Sequence, residues 1–333
     1  MKKHGLTRRA VLATGAAGVI AGTWLKSVRS AHAATKVRLL TNWYAESAQG
    51  GFYQALASGL YETEGLDVEI KMGGPQINGV QLLVAGETDF LMGNDFPCLV
   101  AVEKGLPIIA IAGTYQFALN GITTHPDVKA IEDLKTKKIM ISATSRTAFW
   151  TWLKKKYGFT DDNAIPYTGL ANFLHDENIA MAGIATGEVY EAQRAGVPAN
   201  FFLLADIGFP PYGATVITTH GMIAKSKDTA ARFVRASMQG WKDYMTDPTM
   251  GNKLIFKENP KENVAQTEWA IQKMRDLKLI NGRDAATMGI GIMTDDRWKR
   301  NYDFMVDSEL LKAGTDWKQA YTTEFVKDLK IMM

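Results

Sequence analysis

The sequence predicts an α/β chain of two lobes joined by two crossings, followed by a helical tail. Three observations predict it. Strand, helix and strand signals alternate over residues 36–219, two stiff aromatic junctions at 114–117 and 209–213 interrupt the alternation, and from residue 229 onward the chain reads mostly as helix.

Lys36-Val37-Arg38-Leu39-Leu40 alternates charged and apolar residues, the mark of a half-buried strand, and ends near Asn42 and Trp43. After Gly50 and Gly51, Phe52, Leu56 and Leu60 recur at helical spacing; Gly59 weakens the last turn and Glu64-Gly65 ends it. Leu66, Val68 and Ile70 then alternate with Asp67 and Glu69. Strand, helix and strand in so short a span form a βαβ unit with parallel strands, and such sheets bind small molecules beyond the carboxyl ends of their strands. Asn42 and Trp43 are therefore the first candidate site residues.

Residues 79–86 predict a helix closed by Gly86, and 89–92 a strand that runs into Gly93-Asn94-Asp95-Phe96-Pro97. Pro97 suits a first helical turn, so Asn94 and Asp95, beside Gly93, serve either a ligand or the helix cap. Residues 107–112 form an apolar run suited to a buried parallel strand, and Tyr115 follows at the first crossing. After a short helix and the strand 139–142, Ser145 and Arg146 stand at the start of an apolar helix over 148–157. Free N–H groups and hydroxyls there suit an anion or a carbonyl; Arg146 either adds a bidentate contact or is a solvated residue of the first turn. The apolar run 179–186 leads into a helix, placing Thr186, Glu188 and Tyr190 at one more strand end, where Glu188 serves a ligand or the helix dipole. Residues 201–205 make a strand, Phe209-Pro210-Pro211-Tyr212-Gly213 is the second crossing, and 214–219 returns as a strand. In the tail, Phe233, Ser237, Trp241 and Tyr244 share one helix face, and Trp269, Trp298 and Trp317 are assigned to the core.

Residues 1–33 read as an export signal cleaved near Ala33: a basic start, a soft apolar run and Ala31-His32-Ala33. Thr7-Arg8-Arg9-Ala10-Val11-Leu12 resembles the twin-arginine motif. The formal charge of +3 belongs to this segment, which holds six Lys or Arg and no acid; 32 basic and 35 acidic side chains remain. That balance argues against a nucleic-acid partner. About 300 further residues suit two lobes better than one core. Cys98 is the only cysteine, so no internal disulfide forms. The sequence has no His-Glu-x-x-His, Gly-x-Ser-x-Gly or P-loop, and His125, His175 and His220 are scattered; no catalytic residue, metal or cofactor is assigned.

Gly51-Phe52-Tyr53-Gln54-Ala55, Gly59-Leu60-Tyr61, Glu64-Gly65-Leu66-Asp67-Val68, Ala85-Gly86-Glu87-Thr88-Asp89-Phe90, Gly105-Leu106-Pro107, Ile131-Glu132-Asp133-Leu134-Lys135 and Gly183-Ile184-Ala185-Thr186-Gly187-Glu188 follow one another in an order that resembles the ABC-importer substrate-binding proteins for pyrimidine precursors, riboflavin, sulfonates and nitrate. The resemblance covers most of residues 36–225. It implies a type II periplasmic-binding-protein fold, with lobe 1 over 34–117 and 215–333 and lobe 2 over 118–214, and a monomer in the periplasm that delivers a small molecule to an inner-membrane permease with its ATPase. The tryptophan at the first strand end resembles the pyrimidine-type binders. Trp43, Tyr115, Tyr190 and Tyr212 would then supply stacking faces, and Asn42, Asn94, Asp95 and Glu188 would read ring nitrogens and exocyclic groups. A sulfonate, nitrate or aromatic carboxylate ligand remains an alternative, as does an exported enzyme or sensor domain acting on a small aromatic compound. The family also contains fungal enzymes that make the thiamine pyrimidine from their own histidine and carry a cysteine cluster; a lone Cys98 implies capture instead.

Overall fold

Ten strands carry the architecture: β1 (Thr35–Leu40), β2 (Leu66–Lys71), β3 (Phe90–Gly93), β4 (Ile108–Tyr115), β5 (Asn120–Thr124), β6 (Lys138–Ile141), β7 (Ala164–Pro166), β8 (Ile179–Ile184), β9 (Asn200–Leu203) and β10 (Ala214–Thr219). They belong to a computed structural model that describes residues 34–74 and 76–333, with the backbone alone at Thr144 and Thr147. The expected export signal, including Arg8 and Arg9, lies outside the described residues.

The strands form two five-stranded sheets, ordered β2-β1-β3-β10-β4 and β7-β6-β8-β5-β9. In the first, β1 pairs in parallel with β2 and β3, while β10 runs antiparallel between β3 and β4. In the second, β6 pairs in parallel with β7 and β8, and β5 runs antiparallel between β8 and β9. Each sheet is thus a parallel βαβ core completed by one reversed strand that the chain inserts on changing sheets. This repeated pattern follows from the two crossings: β5 enters the second sheet directly after the first junction, and β10 re-enters the first directly after the second.

The site-framing helices are α1 (Gly50–Ala57), α2 (Phe96–Lys104), α3 (Glu188–Arg194), α4 (His220–Thr246), α5 (Thr249–Glu258), α6 (Val264–Asp276) and α7 (Asp295–Asp307). Phe233, Ser237, Trp241 and Tyr244 of α4 are all buried, so the predicted face packs as expected. Phe233 stacks between Tyr61 and Phe90 at 5.4 and 4.1 Å, and Tyr61 Oη pairs with Ser237 Oγ at 2.9 Å. α1 packs against α4 at a point where only glycine fits: a Cβ on Gly51 would lie 2.2 Å from the Trp241 ring. Two helices differ from expectation. The run 52–61 breaks at Gly59, whose φ of +75° suits glycine and starts a new turn. The helix expected over 148–157 starts earlier, at Ala143–Ser145, and passes through a π-turn at Arg146–Trp150 before its regular part Thr151–Tyr157. Among the described residues no helix is long and apolar enough to cross a membrane.

Candidate functional site

The carboxyl ends of β1, β3 and β4 share one edge of the first sheet. At β1 the chain leaves through Thr41, whose buried hydroxyl donates to the Trp43 carbonyl at 2.7 Å and pins the turn. Asn42 is exposed, and its Oδ1 accepts from Gln49 Nε2 at 2.9 Å; Gln49 Oε1 in turn accepts the Glu46 N–H at 3.1 Å. This ring of bonds fixes the loop before α1 and leaves the two aromatic side chains outside it. Trp43 is 40% and Tyr44 47% exposed, their rings meeting edge to face at 5.5 Å. Asn42 itself lines a cavity of about 470 Å³ together with Gly73, Asn78, Leu91, Gly93 and Asn94, within the size range of small-molecule sites. Asn42, Gly93 and Asn94 are therefore brought together, with Trp43 as the next residue.

On the second sheet, Glu188 opens α3 and folds back so that its Oε2 accepts the Ile184 N–H at 2.8 Å. Gly183 makes room: a Cβ there would lie 2.0 Å from that oxygen. Burial raises the Glu188 pKa above the ordinary carboxylate range. Thr186 is half-buried in the turn between β8 and α3, and the Tyr190 ring meets that of Trp269 of α6 at 5.1 Å, tilted by 44°. Trp269, expected in the core, is half-buried and meets the second sheet's helix instead.

The expected anion site at 145–146 is already satisfied. Ser142 caps the turn: its Oγ accepts the Ser145 N–H at 3.1 Å and its carbonyl the Arg146 N–H at 2.9 Å. Ser145 Oγ bonds back to Ser142 Oγ, and Arg146 pairs with Asp161 at 3.6 Å. The Ser145 N–H and the Arg146 charge are thus both engaged within the chain.

Three further candidates prove to be struts. Asp95 is fully buried; its Oδ2 accepts Tyr212 N–H at 2.8 Å and Asn301 Nδ2 at 2.5 Å, and burial pushes its pKa up to about 7 against the pull of these bonds and of Arg297. Tyr212 is buried with the Arg297 guanidinium 4.5 Å over its ring, and its Oη accepts the Thr294 N–H. Arg297 donates to the carbonyls of Gln116 and Pro210, one in each crossing. Tyr115 is buried beside Trp241, with Oη donating to the Ala48 carbonyl at 2.6 Å. The sequence identified these as polar or aromatic strand ends; the tail helix α7, distant in sequence, covers Asp95 and Tyr212 and makes them part of the hinge. A second cavity of about 510 Å³, lined by Phe117, Trp152, Phe209, Arg283 and Phe304, lies on this side; Arg283 there pairs with Asp206.

Glu46, Tyr44, Gln49 and Glu262 are residues the sequence did not single out, and Trp269 is one it assigned to the core. Burial, then the charge of Glu262, raises the Glu46 pKa to about 7. Its signal was an acid within the polar loop directly after the first strand end. Trp269 was legible in retrospect from α6, whose buried residues Thr267, Ala270, Ile271 and Met274 leave position 269 off the core face.

Fold and strand-end geometry together define a two-lobed α/β chain of the type II periplasmic-binding arrangement, with polar and aromatic residues at the ends of parallel strands. Residues 47–250 match the family model described as NMT1/THI5 like, and the chain belongs to that family. The riboflavin-binding protein RibY of Chloroflexus aurantiacus is 24% identical over 290 residues, covering 83% of this chain and 81% of that protein. A formylaminopyrimidine-binding protein of Halalkalibacterium halodurans is 20% identical over 240 residues, 68% of this chain and 72% of its own. Among solved structures, the periplasmic aliphatic sulphonate binding protein SsuA of Escherichia coli superposes with a TM-score of 0.64 at 13% identity, covering 86% of this chain and 91% of its own. The desulfurization enzyme DSZB superposes with 0.62 at 14% identity over 88% and 98%. The two structures speak to the fold alone, which serves both capture and chemistry.

Proposed function

We propose that this chain is the solute-capturing component of an ABC importer and that it holds a flat heteroaromatic molecule in the cleft beyond the strand ends. The observation that carries this is the cavity lined by Asn42, Gly93 and Asn94, with the exposed Trp43 as the residue next to Asn42 in the chain. An indole left in water at the carboxyl end of a parallel strand suits offset stacking on a ring, worth about 0.5–1.5 kcal/mol beyond the area buried. Asn42 offers an amide to ring nitrogens or exocyclic groups, Glu188 a carboxyl from the other sheet, and Tyr190 with Trp269 an aromatic wall. The riboflavin and formylaminopyrimidine named for the two relatives are flat nitrogen heterocycles and support this ligand class.

The lobes divide at 117/118 and 214/215; the strands support the first boundary, ending at Tyr115 and resuming at Asn120, whereas Ala214 already opens β10 in the first sheet. The chain works as a monomer in the periplasm, exported by the twin-arginine segment and cleaved near Ala33, and passes its solute to a permease with an ATPase. We assign it no chemistry on the solute, a reading that the two relatives named as binding proteins support. Thermal-shift screening against pteridines, flavins, aminopyrimidines and aromatic sulfonates tests the assignment, because a ligand at 100 times its Kd adds about 2.7 kcal/mol. Stabilisation by a flat nitrogen heterocycle that is recovered chemically unchanged is expected. A solute turned over by the chain, or no stabilisation by any heterocycle, would contradict it.

A further inference from the structure

Among the described residues, none that lines the cavity at the β1 and β3 ends is charged. Leu91 and Ile217 are buried there and form an apolar floor, while the exposed lining includes the carboxamides of Asn42, Gln76, Asn78 and Asn94. The floor is tightly packed: a Cβ on Gly79 would lie 2.6 Å from Leu91 Cδ1, and one on Gly93 2.8 Å from Ile217 Cδ1, so a side chain at either position would displace it. An apolar floor beneath a rim of amides suits a flat ring whose faces are apolar and whose edge is polar.

Two of these amides have a fixed direction. Asn78 Oδ1 accepts the Gln81 N–H at 3.1 Å, and a backbone N–H can only donate. At Asn42 the direction passes through Gln49. Gln49 Oε1 accepts the Glu46 N–H at 3.1 Å, which leaves Gln49 Nε2 to donate to Asn42 Oδ1 at 2.9 Å. Both oxygens therefore turn to the chain, and neither Nδ2 has a protein acceptor among the described residues.

We infer that this cavity selects an uncharged ring with carbonyl acceptors at its edge, a lactam or imide, which Asn42 and Asn78 read through Nδ2. The inference rests on the proposed cleft and narrows its ligand class. A carbonyl edge answers two oriented donors, and a ring that lacks it forgoes both bonds. A sulfonate would shed its water with no cation in the lining to replace it, and an ammonium would find no carboxylate there. The lining thus excludes by its lack of charge and selects by its amides.

Four bicyclic probes of similar size differ at the edge: quinazoline-2,4-dione carries two carbonyls, quinoline one ring nitrogen, 1-naphthylmethylamine a positive charge and naphthalene-2-sulfonate a negative one. Titration calorimetry at neutral pH gives their affinities for the whole chain and for Asn42→Asp and Asn78→Asp. Each aspartate keeps the oxygen that Gln49 or the Gln81 N–H needs, so Tm should be unchanged. Expected is a preference of about tenfold for the dione over quinoline, roughly 1.4 kcal/mol, with both charged probes weaker still. Either aspartate should lower dione affinity about tenfold and lift the amine above it, an exchange that a merely structural role would not produce. Equal affinities, tighter binding of the parent chain by either charged probe, or unchanged dione affinity in either folded variant would overturn the inference. Where the bound probes still lose affinity in Trp43→Ala, the cleft itself stands; no binding by any probe would remove the cleft assignment as well.

Discussion

The β1 end and the β3 end look alike in sequence, each a short polar and aromatic stretch between a strand and a helix, yet they do different work. Asn42, Trp43 and Tyr44 remain exposed, held by a small bonded ring through Gln49. Two residues beyond the end of β3, Asp95 is buried and accepts from Tyr212 of the second crossing and Asn301 of α7, while Arg297 of α7 donates to a carbonyl in each crossing. What separates a binding surface from a hinge is whether the tail returns to cover it, and local sequence does not encode that return.

The largest effect expected from breaking this contrast is at the hinge. Arg297→Met strips the carbonyls of Gln116 and Pro210 of a buried charged donor, and should cost about 3–5 kcal/mol; chemical denaturation checks it, and the proposed cleft residues should remain in place in the folded fraction. Next is the α1–α4 contact, where Gly51→Ala drives a methyl into the Trp241 ring and should cost about 1–3 kcal/mol as overpacking. At the open end, Trp43→Ala should leave Tm nearly unchanged and weaken the captured ring about tenfold, the size expected for one aromatic face with its buried area. A Tm drop as large as that of Arg297→Met would show that the two ends are not distinct.

The smallest prediction concerns pH. Asp95 has a folded pKa raised to about 7 by burial, above its unfolded value near 4. The folded state therefore holds the proton more tightly, and the stability this contributes is present below about pH 4 and is lost as pH rises toward about 7. Asp95→Asn keeps an acceptor for the Tyr212 N–H and should flatten this part of the stability profile between pH 4 and 8 while sparing ligand affinity. An unchanged slope would place the titration elsewhere.

The fold was largely readable. Alternation at β1 and β2, the apolar run of β4 and the α4 face each dictate their own burial, and the two junctions announce the change of sheet. The site was only half readable. Asn42, Gly93 and Asn94, expected from strand ends, do come together at one cavity, because that rule is local. Asp95, Tyr115 and Tyr212 satisfy the same rule and still became struts, since their partners, Asn301, Ala48 and Arg297, arrive from elsewhere in the chain. Arg146 was predicted by a helix start whose donors Ser142 had already taken. Trp269 was hidden for the opposite reason: an aromatic residue in a helical tail reads as core unless its exact place on the helix face is known.

The central claim is that a flat solute stacks on Trp43 in the cleft while the Asp95–Arg297 side only holds the lobes together. A structure of the chain with a solute that stabilises it tests this most directly. The expected result is a ring against the Trp43 face, its edge within hydrogen-bond distance of Asn42 and of the Glu188 carboxyl. A solute lodged in the hinge-side cavity at Arg283, or a Trp43 ring free of contact, would contradict it.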